Sequence, residues 1–374
     1  MKVGFDKWWL LPFGILAASA LVALSIIVFG PSFIGRLPAE VAQRAVSGPA
    51  ADCSGASVND YACYQKRYQG LVRDSGVETA FAELKDEYAK NNFVRSSCHQ
   101  LTHVIGRTAA DLYGDISSTY GRGDEFCGAG YYHGAIEAIA AKIGPDRIVD
   151  EADTICADLR EGQKYSYYHR NCVHGLGHGF MGIQENELFG SLQACDALKD
   201  GWEQENCYGG VFMQNVMALN DPSHPSKYLK ADQPLYPCTD VQTRYKDQCY
   251  KRQTLYALHT QGYDFAKVFN LCATAVEEVY RPACYQGVGW DAAGLSINRE
   301  GITQVAKTQS TSQLCTLGKD YEARSNCVVG AVKDFVIVYH SDAQTRALCE
   351  SFNDADLRAV CLKTAEEYNK NFQP

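Results

Sequence analysis

The sequence lacks several short motifs that mark common enzyme and cofactor classes. It contains no Gly-x-Ser-x-Gly nucleophile elbow, no Gly-x-x-x-x-Gly-Lys phosphate-binding loop and no Cys-x-x-Cys-His haem attachment. These absences disfavour a serine hydrolase of that type, a nucleotide-binding loop and a covalently attached haem. Long basic runs are also missing and the net charge is −9, so no nucleic-acid partner is expected.

Two further absences concern the compartment in which the protein folds. The Cys-x-x-Cys spacing of zinc ribbons is missing, although the chain has sixteen cysteines. Structural disulfides in an oxidising compartment explain this even and high count, and they leave no thiolate for nucleophilic catalysis. The chain has no Asn-x-Ser/Thr acceptor either, which favours a prokaryotic periplasm or cell surface over a eukaryotic secretory lumen.

Charged residues are missing from one long stretch near the N-terminus, residues 8–30. A helix of about 23 residues crosses a hydrocarbon core of about 30 Å, whereas the apolar part of a cleaved signal peptide has only about 7–15 residues. The stretch ends in large apolar residues rather than in a small-residue cleavage site. We therefore predict a cytoplasmic tail over 1–7, a transmembrane anchor over 8–30, a linker over 31–52 and an extracytoplasmic domain over 53–374.

Strand signals are scarce, whereas one cysteine position recurs at steps that alternate between about 30–35 and 42–45 residues. The cysteines at this position are Cys98, Cys127, Cys172, Cys207, Cys249, Cys284, Cys327 and Cys361. Such a period, with a helix-length apolar stretch on each side, is typical of stacked helical hairpins. The predicted fold class is all-α: disulfide-stapled helical-hairpin repeats, as an open α-solenoid or a closed α/α ring, behind one N-terminal transmembrane helix.

Most of these cysteines follow a second cysteine by 11 to 16 residues: Cys156, Cys195, Cys238, Cys272, Cys315 and Cys349. Pairing each with the next cysteine would join one helix of a hairpin to the start of the next. Each such loop would contribute about 3 kcal/mol by the chain-entropy estimate. Cys98 and Cys127 have a wider spacing and are expected to pair with each other.

Four prolines interrupt the repeats between residues 220 and 237. Since proline breaks a helix interior, we expect no helix through this stretch. A lid, a binding loop and a tolerated insertion are all compatible with a loop of this length.

Histidine pairs four residues apart distinguish the early repeats. They are His99/His103 and His174/His178, with a carboxylate variant at His133/Glu137. Chance placement of the nine histidines would give about 0.2 histidine pairs at this spacing, by simple counting of matches. On a helix this spacing puts both side chains on one face, where two imidazoles can bind one metal ion at about 2.0–2.1 Å.

The histidines also share a repeat position, since His133 and His178 each lie six residues after their cysteine. Later repeats have Met213, Trp290 and Lys333 there, so the fold itself does not require histidine. Because stacked hairpins place equivalent positions side by side, we predict one shared site. The predicted metal ligands are His99, His103, His133, His174 and His178.

The remaining member of the predicted site is Glu137, as a further ligand or as the general base that deprotonates a metal-bound water. The site could hold one ion, or two ions about 3.5–4 Å apart. Zinc is the default divalent metal for imidazole ligands outside the cell, with copper, iron and manganese as alternatives.

Three functions are compatible with these features. The first is a membrane-anchored, extracytoplasmic metal-binding protein that acts as a metal-dependent hydrolase. The second is a non-catalytic helical-repeat module that binds a peptide, a glycan or a protein. The third is a metal-handling protein without turnover. The expected partners are the membrane, through the N-terminal helix, and a small-molecule, peptide or protein ligand of unknown identity.

Overall fold

The fold is all-α in every part of the chain that the computed structural model describes. The described residues are 53, 61–124, 126–127, 130–160, 166–220, 226–297, 303–339 and 341–370. The only extended pairing among them is an isolated bridge between Lys230 and Gln233. The predicted tail, anchor and linker over 1–52 lie outside the described residues. Within the described ranges, no helix has the length and apolar character needed to span a bilayer.

The helices, numbered in chain order, form two layers. Each inner helix packs on the next: α1 (Tyr61–Ser75), α4 (Cys98–Tyr113), α6 (Gly130–Ile143), α8 (Tyr167–Ile183), α10 (Gly201–Met217), α11 (Thr243–Thr260), α13 (Arg281–Ile297), α15 (Tyr321–Tyr339) and α17 (Ala355–Asn369). The remaining helices, called outer helices below, are α2 (Val77–Lys90), α3 (Asn92–Ser96), α5 (Ile116–Tyr120), α7 (Pro145–Ile155), α9 (Leu188–Cys195), α12 (Phe265–Ala275), α14 (Gln304–Cys315) and α16 (Asp342–Glu350). Among the described residues, three 3₁₀ turns cover Ala157–Arg160, Ala218–Asn220 and Glu278–Tyr280. The predicted helical repeats are therefore confirmed.

A polar side chain caps the N-terminus of each of two inner helices, α8 and α10. Ser166 precedes α8, and its hydroxyl accepts a hydrogen bond from the His169 backbone N–H. Asp200 precedes α10 in the same way and accepts from the N–H groups of Trp202 and Glu203. Such caps satisfy backbone donors that a helix start otherwise leaves unpaired.

Glycines allow neighbouring inner helices to approach at backbone contact. A Cβ atom on Gly134 of α6 would lie 2.2 Å from the carbonyl oxygen of His103 on α4. One on Gly210 of α10 would lie 1.9 Å from the carbonyl oxygen of His174 on α8. Equivalent close contacts occur at Gly106, Gly177, Gly289 and Gly330. Glycine costs about 1 kcal/mol in a helix interior, and here that cost is offset by close packing of the helices that carry the histidines.

All sixteen cysteines are paired, in eight disulfides. They are Cys53–Cys63, Cys98–Cys127, Cys156–Cys172, Cys195–Cys207, Cys238–Cys249, Cys272–Cys284, Cys315–Cys327 and Cys349–Cys361. Each pairing predicted from the spacing is confirmed. In the later repeats the bridge joins an outer helix to the second turn of the next inner helix, so every hairpin is fixed to its neighbour.

The proline-rich stretch takes the place of one outer helix. Its described part, from residue 226 onward, contains no helix before α11, as expected. The side chains of Tyr228 and Leu235 are buried, and the Gln253 amide of α11 donates a hydrogen bond to the Pro234 carbonyl at 3.2 Å. The stretch therefore packs against the inner layer between α10 and α11 and brings Cys238 to its partner.

Candidate metal centre

The five predicted histidine ligands meet at one place on the inner helices, around His133 of α6. The His133 ring centroid lies 5.5 and 5.6 Å from those of His99 and His103 on α4. It lies 4.9 and 4.7 Å from those of His174 and His178 on α8. Two triads, His99/His103/His133 and His133/His174/His178, each have three ring nitrogens within 4.8 Å of one another. Either triad could hold a metal ion after small side-chain shifts.

Burial keeps four of these imidazoles, those of His99, His133, His174 and His178, uncharged. Exclusion from water lowers the pKa of His178 to about 4 and that of His99 to about 3, and the neighbouring His103 adds to both effects. Burial and the surrounding histidines and arginines hold the pKa values of His133 and His174 well below their usual range. Metal ions bind the neutral imidazole, so at neutral pH these four side chains are already in the ligand form.

Backbone carbonyls orient one histidine on each of two helices. The Nδ1 atom of His99 lies 2.7 Å from the Cys127 carbonyl oxygen, and the Nδ1 atom of His174 lies 3.1 Å from that of Asn206. A carbonyl oxygen can only accept, so each Nδ1 carries the proton and donates it. Each Nε2 then presents a lone pair toward the other histidines, which is the usual arrangement of a metal-binding imidazole.

Side chains orient the second histidine of each pair in the same way. The Nδ1 atom of His103 lies 2.9 Å from Oε1 of Glu137, and that of His178 lies 2.7 Å from Oε1 of Gln214. Although burial opposes ionisation of Glu137, His103 and Arg107 hold the pKa of this carboxyl well below its usual range. An ionised carboxylate is an acceptor, so His103 also donates from Nδ1 and points Nε2 into the cluster.

Several ring nitrogens that point into the cluster are buried without a matching hydrogen-bond donor or acceptor. The Nε2 atoms of His99 and His103 are 3.1 Å apart, and in the neutral form that binds a metal each ring has a lone pair there. Two nitrogens on one tetrahedral ion at about 2.05 Å would be about 3.3 Å apart. Neither ring nitrogen of His133, nor Nε2 of His178, has a hydrogen-bond partner in the described structure. Buried polar atoms are rarely left unpaired, and a cation bound among these nitrogens would satisfy them.

Glu137 has both carboxylate oxygens engaged. Oε1 accepts from His103, and Oε2 accepts from the Arg107 guanidinium at 2.6 Å. Its placement beside the cluster agrees with the sequence, whereas a role as ligand or general base stays a prediction. Arg107 was not among the site residues predicted from the sequence. The signal was present, since His99, His103 and Arg107 continue one four-residue spacing along α4.

Met213 is a further neighbour that the sequence analysis treated only as a replacement for histidine. Its Sδ atom lies 3.4 Å from Nε2 of His174. The inner helix α10 therefore places a thioether beside the imidazoles. A thioether is a soft donor that favours copper over the harder divalent metals.

Not every histidine of α8 belongs to this centre. His169 lies 2.8 Å from the buried carboxylate of Glu203, which also pairs with Arg160 at 2.8 Å. This is a separate network at the beginning of the helix.

Comparisons with protein-family models, curated proteins and solved structures gave no match to the chain. The function is therefore inferred from the site itself.

Proposed function

We propose that the protein is a membrane-anchored, extracytoplasmic metal-binding protein whose five-histidine centre holds one or two transition-metal ions. The observation that carries the proposal is the orientation of the imidazoles. Four of them are fixed through Nδ1 to an oxygen acceptor, so that Nε2 faces a shared space around the unpartnered His133. Zinc suits the imidazole set, and the Met213 thioether favours copper at the end of the cluster near His174.

Two features support the compartment and the anchor. Eight disulfides with no free cysteine are typical of proteins that fold in an oxidising compartment. The uncharged stretch over 8–30 has the length of a membrane-spanning helix. We therefore propose that the N-terminus is cytoplasmic and that the helical repeats lie in the periplasm or at the cell surface.

The enzymatic form of the proposal is metal-assisted hydrolysis with Glu137 as general base. A bound ion would supply Lewis acidity at the histidines. Because Glu137 is held by His103 and Arg107, we assign it first to orienting His103 and maintaining its tautomer. Proton transfer by Glu137 would require its carboxylate to exchange one of these two partners for a substrate water.

The test is elemental analysis of the full-length oxidised protein, purified without a histidine tag and offered zinc and copper in separate samples. We expect one or two equivalents of bound metal in the wild type. A His133→Ala/His178→Ala variant should lose the metal while far-UV circular dichroism shows that the helices remain. His259→Ala, at an exposed position on α11, is the matched control and should bind as the wild type does.

The absence of bound metal from the wild type after exposure to both ions would refute the proposal. The histidines would then be packing residues, and the function would have to be sought in a binding partner. If metal binds, Glu137→Gln separates the two forms of the proposal. Loss of turnover with metal retained would identify a hydrolase, whereas rapid metal exchange without turnover would identify a metal-handling protein.

A further inference from the structure

A second polar cluster lies on the inner helices beyond the histidines. It is built around Trp290 of α13, which lies six residues after Cys284, at the repeat position of His133 and His178. The guanidinium carbons of Arg252 on α11 and Arg170 on α8 lie 4.5 and 5.9 Å from the Trp290 ring centroid. Two cationic side chains from different repeats thus contact one indole ring. The ring attracts both guanidinium groups, whereas the two guanidinium groups repel each other.

This cluster adjoins the metal centre. Arg170 lies four residues before His174 on α8, so the two side chains occupy one face of the helix. A Cβ atom on Gly209 of α10 would lie 3.3 Å from Oε1 of Gln248, 3.5 Å from Nδ1 of His174 and 3.7 Å from Nε of Arg252. The absence of a side chain at Gly209 therefore leaves a small space, about the size of a methyl group, bordered by these three residues.

The two guanidiniums have no carboxylate partner in the described structure. The nearby acidic side chains are Asp291 and Asp334, and no ion pair within 4 Å joins either one to Arg170 or Arg252 among the described residues. One carboxyl oxygen of each aspartate, and Nε of Arg252, are buried without a hydrogen-bond partner. Burial raises the pKa of Asp291 to about 8 and that of Asp334 to about 7, so neither neutralises the arginines fully at pH 7.

Two further side chains lie beside the cluster, and one of them, Lys333, is within electrostatic reach of Asp247 and Glu205. Tyr368 of α17 shares a side-chain hydrogen bond with Arg170. Lys333 of α15, at the same repeat position as Trp290, lies 5.8 Å from the Tyr368 ring centroid and 3.2 Å from the amide oxygen of Gln286. The cluster is therefore rich in cations, and Arg170 and Asp334 are 94% and 95% buried. A buried excess of positive charge is costly unless an anion compensates it.

We propose that Arg170 and Arg252 form a binding site for the oxyanion group of a small molecule, a carboxylate or a phosphate, beside the metal centre. Guanidinium groups bind both oxyanions with paired N–H donors. The Trp290 ring supports the arginines from one side, and the Asp291 carboxyl, when protonated, can add an O–H donor. This site does not require the metal, and it would place the bound molecule next to His174.

The experiment is calorimetric titration of the full-length oxidised protein with inorganic phosphate and, separately, with acetate, at constant ionic strength in chloride. Both the chelator-treated and the metal-loaded protein are titrated. We expect saturable binding of at least one anion to both forms of the protein, with one anion per chain. Arg252→Gln should weaken it about tenfold or more, because a hydrogen-bonded charge is lost. Arg244→Gln removes an exposed arginine from the same helix and should leave binding unchanged.

Gly209→Ala is a second variant that keeps the charges. It should weaken phosphate binding by filling the space between His174 and Arg252, and alanine favours the helix, so the fold should be preserved. Failure of both anions to bind would overturn the proposal. So would binding that Arg252→Gln and Gly209→Ala leave unchanged, or binding seen only in the metal-loaded protein, since the anion would then be a ligand of the metal. Because the titration of metal-free protein does not depend on the histidine centre, the two proposals can fail independently.

Discussion

Acidification of the metal-free protein should reveal the burial of His178 as a loss of stability. The pKa of His178 is about 4 in the folded protein and about 6.5 in the unfolded chain. A folded-state pKa that is lowered means that the unfolded chain binds the proton more tightly. The contribution of His178 is therefore fully present above about pH 6.5 and is lost as the pH falls toward 4.

The loss of unfolding free energy between pH 7 and pH 5 depends little on how far below 4 the pKa of His178 lies in the folded protein. Over this interval the unfolded chain gains about 1.9 kcal/mol from protonation of one histidine, and the folded protein gains about 0.1 kcal/mol at most if its pKa is 4 or below. One buried histidine should therefore cost about 1.8 kcal/mol of unfolding free energy. His178→Gln removes the titrating group and keeps an amide near Gln214.

The assay is urea unfolding of chelated, disulfide-intact protein at pH 7 and pH 5, followed by far-UV circular dichroism. Total pH dependence is not diagnostic, because the raised pKa values of Asp291 and Asp334 stabilise the protein as the pH falls. The wild-type loss between the two pH values should exceed the loss in His178→Gln by about 1.8 kcal/mol. His259→Gln, at an exposed position, should behave as the wild type does. Equal losses in wild type and His178→Gln would refute the inference that His178 is buried and neutral.

Three further predictions follow from the same contacts. Glu137→Gln should weaken metal binding about 10–100-fold in a chelator competition, because the carboxylate that orients one imidazole is lost; unchanged affinity would contradict the orienting role. Gly134→Ala should lower the unfolding free energy by about 1–3 kcal/mol, since the new Cβ would meet a backbone carbonyl at 2.2 Å. Gly70→Ala, where nothing lies within 4 Å, is its control and should be neutral or slightly stabilising in thermal unfolding. Replacing Cys349 and Cys361 together with alanine should cost about 3 kcal/mol and leave the metal stoichiometry unchanged, and a parallel loss of metal would show that the repeats do not act separately.

Local features of the chain were predictable because the fold is built from local units. Two cysteines 11 to 16 residues apart can lie on consecutive helices and face each other across the connecting loop. The pairing of Cys272 on α12 with Cys284 on α13, for example, could therefore be predicted from spacing. The grouping of the histidines was predictable for a related reason. Stacked repeats bring equivalent positions together, and His133 and His178 occupy equivalent positions.

The partners of those histidines were harder to foresee. Backbone carbonyls such as that of Cys127 orient His99, and no side-chain pattern records which carbonyl faces a ring. The cluster of Arg170, Arg252 and Trp290 joins α8, α11 and α13, and no spacing along the chain records which residues of different repeats meet. Its one local signal is the repeat position six residues after the cysteine, which holds Trp290 and Lys333 in later repeats and histidine at His133 and His178.

The order of the disulfides has a consequence for biogenesis. Every bridge joins a cysteine to the next cysteine along the chain, so no bridge encloses another. In a chain that enters an oxidising compartment in order of synthesis, each pair of cysteines is exposed before the following pair arrives. Pairing in order of emergence then gives the native connectivity, so no disulfide has to be rearranged by an isomerase.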